Sequence, residues 1–192
     1  MRKLGLIGGM SWQSTAIYYR HMNTIAHERL GGLHSADIVL RSLDFAGIAE
    51  KQHSGDWDGA ADILVAAARD LERAGAEALV LCTNTMHLLA DRIEAACSIP
   101  LIHIADATAD AIRQTPSTTP ALLATRFTME RPFYRDRLAE KRGIATIVPD
   151  EDGRATVHRI IYEELCEGVV TPASKQAYLD EVKRLTARGA DG

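Results

Sequence analysis

A thiol stands at the end of the aliphatic run Ala78-Leu79-Val80-Leu81: Cys82 is followed at once by Thr83, Asn84 and Thr85 before a helical pattern resumes at Met86-His87. Those residue types at that spacing suit proton transfer or nucleophilic chemistry. The run has the character of a buried parallel strand, and in open α/β sheets ligands collect beyond the carboxyl ends of the strands. Backbone N–H groups at the start of the next helix favour negative charge, so the position predicts a stabilised thiolate and room for an anionic substrate group. The competing reading is packing, since a free cysteine most often serves as a small buried apolar residue. Three polar side chains directly after a strand tip favour chemistry.

The rest of the chain has the pattern needed to hold such a tip. Short aliphatic runs at Leu4–Ile7, Ile38–Leu40, Leu79–Leu81, Leu101–Ile104, Ala121–Ala124 and Ile144–Val148 alternate with helical patterns at about 14–29, 57–74, 86–96, 107–113, 129–141, 154–167 and 173–188. That alternation predicts βαβ units and a parallel sheet, hence an α/β fold. The polar stretch Gln114-Thr115-Pro116-Ser117-Thr118-Thr119-Pro120 suggests a boundary, giving a first lobe at 1–113 and a second at 114–192.

The bulk numbers set the class. A chain of 192 residues with 46% hydrophobic content buries an ample core, and a formal net charge of −4 without Lys/Arg runs argues against nucleic acid or membrane as partner. A small-molecule substrate is the expectation. Three cysteines at irregular spacing fit neither a disulfide framework nor a structural zinc site, and with no apolar stretch of membrane-spanning length they point to the cytoplasm. The seven histidines show no metal-ligand spacing. Gly5-Leu6-Ile7-Gly8-Gly9 lacks the spacing of a nucleotide-binding loop. Asp106 and His103 either shape a cleft or cap a helix, and Trp12 and Trp57 are expected to pack between the lobes.

A faint repeat links the two lobes. Gly5–Met10 leads into a helix carrying Tyr19-Arg20, as Ala121–Thr125 leads into one carrying Tyr134-Arg135. Arg73-Ala74-Gly75-Ala76-Glu77 likewise matches Ala187-Arg188-Gly189-Ala190-Asp191, although glycine is an ordinary helix stop.

Taken together, Gly8-Gly9-Met10-Ser11-Trp12 with Ser14-Thr15, Arg29-Leu30-Gly31-Gly32-Leu33-His34-Ser35, Cys82-Thr83-Asn84-Thr85-Met86-His87, His103-Ile104-Ala105-Asp106-Ala107-Thr108 and Thr125-Arg126-Phe127-Thr128-Met129 resemble the aspartate/glutamate racemase family, in its broad-specificity bacterial form. The resemblance implies two similar α/β lobes, each a parallel sheet flanked by helices, related by a pseudo-twofold axis with the active site in the cleft between them, assembled as a homodimer. It implies inversion of an acidic amino acid at the α-carbon by two cysteines, without pyridoxal phosphate or metal. Inversion needs a base on one face and an acid on the other, and a thiol with its pKa lowered toward 7 serves either role. Carried over by position, Cys82 is one acid–base thiol. Thr83, Asn84 and Thr85 would hold the substrate carboxylate, and Met10, Gln52, Thr125 and Thr128 would complete the pocket. For these last residues the alternatives are packing at Met10, an exposed loop at Gln52, and an N-cap at Thr128 for a helix beginning at Met129.

Two departures bear on activity. The family pattern continues into a strand ending Gly-Cys-Thr-Glu that carries the second thiol, and residues 1–192 stop short of it, so this stretch is expected to be a truncated form with negligible two-base racemisation. Cys97 lies at the far end of the helix leaving the site, about 15 Å away by helical rise, and Cys166 suits packing. Cys166 also occupies the position of a substrate-binding lysine in aspartate-selective relatives, which leaves the amino acid open. A one-cysteine decarboxylase or isomerase on the same scaffold, a cysteine hydrolase using His87, and a non-catalytic amino-acid-binding protein are the competing functions.

Overall fold

In a computed structural model, which describes the backbone of residues 1–192 and all side chains but those of Lys141 and Arg142, the chain divides into two compact units, Met1–His103 and Ile104–Gly192. The first unit is a four-stranded parallel sheet: β1 (Leu4–Gly8), β2 (Ile38–Ser42), β3 (Ala78–Leu81) and β4 (Leu101–Ile102), in the order β2-β1-β3-β4. Helices α1 (Trp12–Leu30), α2 (Phe45–Ser54), α3 (Trp57–Arg73) and α4 (Ala90–Ala96) connect them. Leu4 pairs with both Ile38 and Ala78, so β1 is central and its residues are almost wholly buried.

The period of two along the strands sorts side chains to opposite faces. Ile7, Leu79 and Leu81 join a core with Leu64, Ala67, Ala68 and Leu71 of α3, while Leu6, Val80 and Cys82 pack with Tyr18 and Met22 of α1. Each large aliphatic side chain fully buried this way contributes about 1.5–3 kcal/mol. On α3 the buried residues Ala60, Leu64, Ala67, Ala68 and Leu71 form a single stripe, and Asp56 caps the helix by accepting the Gly59 N–H at 2.9 Å. Helix α2 has no counterpart among the sequence expectations. Its marks are local: Asp44 accepts the Ala46 N–H, and Gly55 ends it with a left-handed backbone.

The second unit contains α5 (Ile104–Ile112), α6 (Arg126–Glu130), α7 (Pro132–Arg142), α8 (Glu151–Glu163) and α9 (Pro172–Ala187). The division falls one helix earlier than the polar stretch suggested. Helix α5 packs its Ala105 and Ala109 against Tyr134 and Leu138 of α7, with a bidentate Arg137–Asp106 ion pair at 2.7–2.8 Å. The expected strand Leu101–Ile104 accordingly ends at Ile102. The expected helix 129–141 is instead two helices, broken at Arg131, which precedes Pro132 and takes an extended backbone.

Strands expected at Ala121–Ala124 and Ile144–Val148 reduce to one parallel bridge, Ala121 to Ile147, bracketed by Pro120 and Pro149. On the other side of the same segment, Ala121 N–H donates to the Gly192 carbonyl at 2.7 Å and Asp191 N–H to that of Thr119 at 3.1 Å. Segment 119–122 is therefore flanked on both sides, as β1 is by β2 and β3.

The faint sequence repeat is a repeat of hydrogen bonds. At the end of α3, Ala74, Gly75, Ala76 and Glu77 donate in turn to Asp70, Glu72, Leu71 and Lys3, and after α9 the residues Arg188, Gly189, Ala190 and Asp191 donate to Arg184, Thr186, Leu185 and Thr119. The carboxylates match too: Glu77 accepts the Lys3 N–H at 2.9 Å, and Asp191 accepts the Thr119 N–H at 2.8 Å. Among the described residues no helix is long and apolar enough to cross a membrane.

Candidate functional site

The sheet order reverses at β1. The chain moves from β1 outward to β2, then returns to place β3 on β1's other side, and in open α/β sheets ligands gather beyond the carboxyl ends of strands at such a switch point. Two segments meet there: Gly8-Gly9-Met10 leaving β1, and Cys82-Thr83-Asn84-Thr85 leaving β3. The Cys82 N–H donates to the Ile7 carbonyl at 2.9 Å, so the last rung of the ladder sets the thiol beside the start of the glycine turn.

That turn is built by close approach. A Cβ on Gly8 would stand 2.5 Å from Thr15 Cγ2, and one on Gly9, whose φ is +90°, would stand 2.1 Å from the Leu43 carbonyl oxygen. The space is used by Thr15, buried at the start of α1, whose Oγ1 accepts the Gly9 N–H at 2.8 Å and donates to the Ser11 carbonyl at 3.1 Å. Thr15 is a site-shaping residue whose role the sequence shows only as part of the Ser14-Thr15 pair.

Cys82 has 0% exposure and belongs to the cluster of Leu6 and Val80. Burial pushes its thiol up to about 12. This corrects the expectation of a stabilised thiolate. The element after the strand is a 3₁₀ turn, Thr85–Leu89, leading into the short α4, so no long helix follows the thiol directly in the chain, and desolvation of the charged form prevails. In this structure the group is a neutral thiol, a proton donor.

Around it, Thr83 is half-buried, Asn84 exposed and Thr85 buried. Among the described residues, neither the Thr83 nor the Asn84 N–H has an acceptor. Met10 is buried in the core with Ile7, Ile48 and Met86. Gln52 lies in α2 rather than in a loop; it is buried, and its Nε2 donates to Met86 Sδ at 2.8 Å. His87 and His103, both buried, meet ring to edge at 4.5 Å, and His87 Nδ1 lies 2.7 Å from the Thr83 carbonyl. A carbonyl only accepts, so Nδ1 carries the proton in this contact.

Thr125 and Thr128 lie in the second unit. Thr125, not Thr128, caps the helix, which begins at Arg126 rather than Met129: its Oγ1 accepts the Thr128 N–H, and the two hydroxyls are 3.2 Å apart. Cys97 follows α4, and the chain from it returns to the opposite edge of the sheet, where Pro100 accepts from Leu79 at the start of β3. Its thiol is raised by burial and by the nearby Glu72. Cys166 is half-buried in a 3₁₀ turn after α8. Trp57 packs on the first unit's own core and Trp12 is exposed.

Open hollows lie elsewhere in the first unit. One of about 320 Å³ is lined by Trp12, Thr15, Ala16, Tyr19, Leu40 and Ser42 on the β2 side, and one of about 390 Å³ lies at the amino ends of β1 and β2 around Leu4, Met22, Arg29 and Asp37. Cys82 lines neither. Among the described residues no group of three or more His, Cys, Asp or Glu is arranged to hold a metal ion.

The sequence and fold both have known counterparts. The family described as Asp/Glu/Hydantoin racemase matches residues 7–192. A crystal structure from Yersinia pestis, described as a "putative Asp/Glu Racemase", is 55% identical, with 99% of this chain and 83% of that chain covered and a TM-score of 0.89. An aspartate racemase homologue from Pyrococcus horikoshii OT3 is 32% identical over 100% of this chain and 83% of its own, with a TM-score of 0.80. The aspartate racemase of Picrophilus torridus, at 15% identity, covers 95% of this chain and 75% of its own with a TM-score of 0.73, a likeness of fold alone. With the family matching from β1 through the last helix and two relatives above 30% identity sharing the parallel α/β scaffold, the chain belongs to the Asp/Glu/Hydantoin racemase family.

Proposed function

We propose that the protein is an amino-acid racemase acting on an acidic amino acid, with Cys82 as one of its two proton-transferring groups. The observation that carries this reading is the arrangement at the carboxyl ends of β1 and β3: a thiol on the last rung of the ladder, followed by two backbone N–H groups without acceptors among the described residues and by the Thr83 hydroxyl and Asn84 amide. Those donors suit a carboxylate, and they strengthen as charge builds on it when the α-proton leaves. Thr85, Met10 and Gln52 surround the same strand ends. The family pattern adds Thr125 and Thr128 as substrate contacts, a second thiol, no pyridoxal phosphate or metal, and a homodimer.

In the forward direction one group removes the α-proton and a second delivers a proton to the opposite face. The neutral state of Cys82 makes it the donor. In the reverse direction it must first lose its proton, which at pH 8 costs about 5 kcal/mol for a thiol at about 12. Removal of the α-proton by Cys82 runs through its thiolate, so exchange at this thiol is expected to be slow near neutral pH and to quicken as pH rises. The test is ¹H NMR and chiral chromatography of L-glutamate and L-aspartate in deuterium oxide, with Cys82→Ser as control. Exchange that vanishes in the variant supports the proposal; exchange unchanged by Cys82→Ser, or absent from the unaltered protein, refutes it.

A thiol held protonated also favours a second reading, protonation of a carbanion after decarboxylation of a malonate-type substrate. Carbon dioxide release from an aryl-malonate with deuterium entering one face would establish it.

A further inference from the structure

We propose that His87 is a positioning residue that sets the Thr83–Asn84 peptide for carboxylate recognition; the inference rests on the racemase reading. His87 holds the segment twice. Its Nδ1–H donates to the Thr83 carbonyl at 2.7 Å, and its backbone N–H donates to the Asn84 carbonyl at 3.1 Å. In a trans peptide the C=O and the following N–H point in opposite directions, and the cis bond in this chain lies elsewhere, at Met10-Ser11. Drawing the Thr83 carbonyl toward the buried imidazole therefore turns the Asn84 N–H away from it, and Asn84 is the exposed residue of this segment. The edge of His103, entering from the end of β4, holds the imidazole plane at 4.5 Å.

Only one arrangement of protons works. Nδ1 must carry hydrogen, so the neutral ring is the Nδ1–H tautomer, and further protonation leaves the clamp intact. His87 touches no reacting atom; it acts through the peptide it fixes.

The experiment compares His87→Leu, which removes the donor, with His87→Asn, whose side-chain amide nitrogen occupies the place of Nδ1. The readouts are α-proton exchange of L-glutamate, thermal midpoints, and the ¹⁵N shifts of the wild-type imidazole. The expected result is KM raised about tenfold or more in His87→Leu, kcat within about threefold, KM restored to within about threefold in His87→Asn, and the Nδ1–H tautomer in the wild type. A KM unmoved by His87→Leu, equal impairment of both variants, or an Nε2–H tautomer overturns the proposal. Should His87→Leu not fold, the asparagine variant and the tautomer decide it. Absence of exchange in the unaltered protein refutes the racemase reading, and the tautomer then decides the clamp by itself.

Discussion

Alkylation of Cys82 reads its proton directly, because the thiolate is the reacting form. At pH 8 a thiol at the ordinary value of 9.0 is ionised in roughly one molecule in ten, whereas one pushed up to about 12 is ionised in roughly one in ten thousand. The structure thus predicts that iodoacetamide labels Cys82 about a thousandfold more slowly in the native protein than in urea, before any loss from steric shielding. The rate should rise about tenfold per pH unit through pH 11, while the unfolded chain levels off above 9. Peptide mass spectrometry resolves the three cysteines, and the half-buried Cys97 and Cys166 provide internal comparisons. The same shift appears in stability. The folded state holds this proton more tightly than the unfolded chain, so the contribution is complete below about pH 9 and is lost as pH rises from 9 to 12, by up to about 4 kcal/mol. Native labelling that reaches half its maximum near pH 8 would refute the burial argument.

Two further perturbations test the scaffold. Gly9→Ala puts a Cβ into the Leu43 carbonyl at a φ of +90° and is expected to destabilise the fold by at least about 2 kcal/mol, read as a lower urea midpoint. Asp191→Ala removes the acceptor of the Ser117 hydroxyl and of the Thr118 and Thr119 N–H groups, bonds that also hold the Asp191 carboxyl well below the usual carboxylate range. Faster hydrogen exchange at those two amides, with the Leu4–Gly8 amides unchanged, is the expected outcome.

The first unit was legible because its strands announce themselves. Leu4–Ile7, Ile38–Leu40 and Leu79–Leu81 are uninterrupted aliphatic runs, and a parallel sheet covered on both faces demands such runs. Leu101–Ile104 misled because Ile104, Ala105 and Ala109 are equally suited to a helix face, and packing on Tyr134 and Leu138 decided between the two. Helix α2 was hidden because its weakly apolar face spans only ten residues, although its caps at Asp44 and Gly55 were there to be read. Gln52 followed from that miss. The repeat was half visible in Gly75 and Gly189; the rest lies in carboxylate-to-backbone bonds that join residues more than seventy positions apart, which no local pattern shows.

The state of Cys82 divides along the same line. Its place at the strand tip follows from the aliphatic run before it, but its charge follows from what covers it, and the covering side chains Leu6, Tyr18 and Met22 come from far along the chain. Met22 is the most easily reduced of these, being partly buried on α1 with its side chain over the cluster. If desolvation holds the proton, Met22→Ala admits water and lets the thiol fall part of the way back toward 9.0, and each unit regained makes native alkylation at pH 8 about tenfold faster. A gain of ten- to a hundredfold at Cys82, with Cys166 unchanged, is expected. Unchanged labelling in a variant that keeps its fold would show that the local backbone, rather than the apolar cover, fixes the thiol, and the reasoning from burial to proton donor would fail with it.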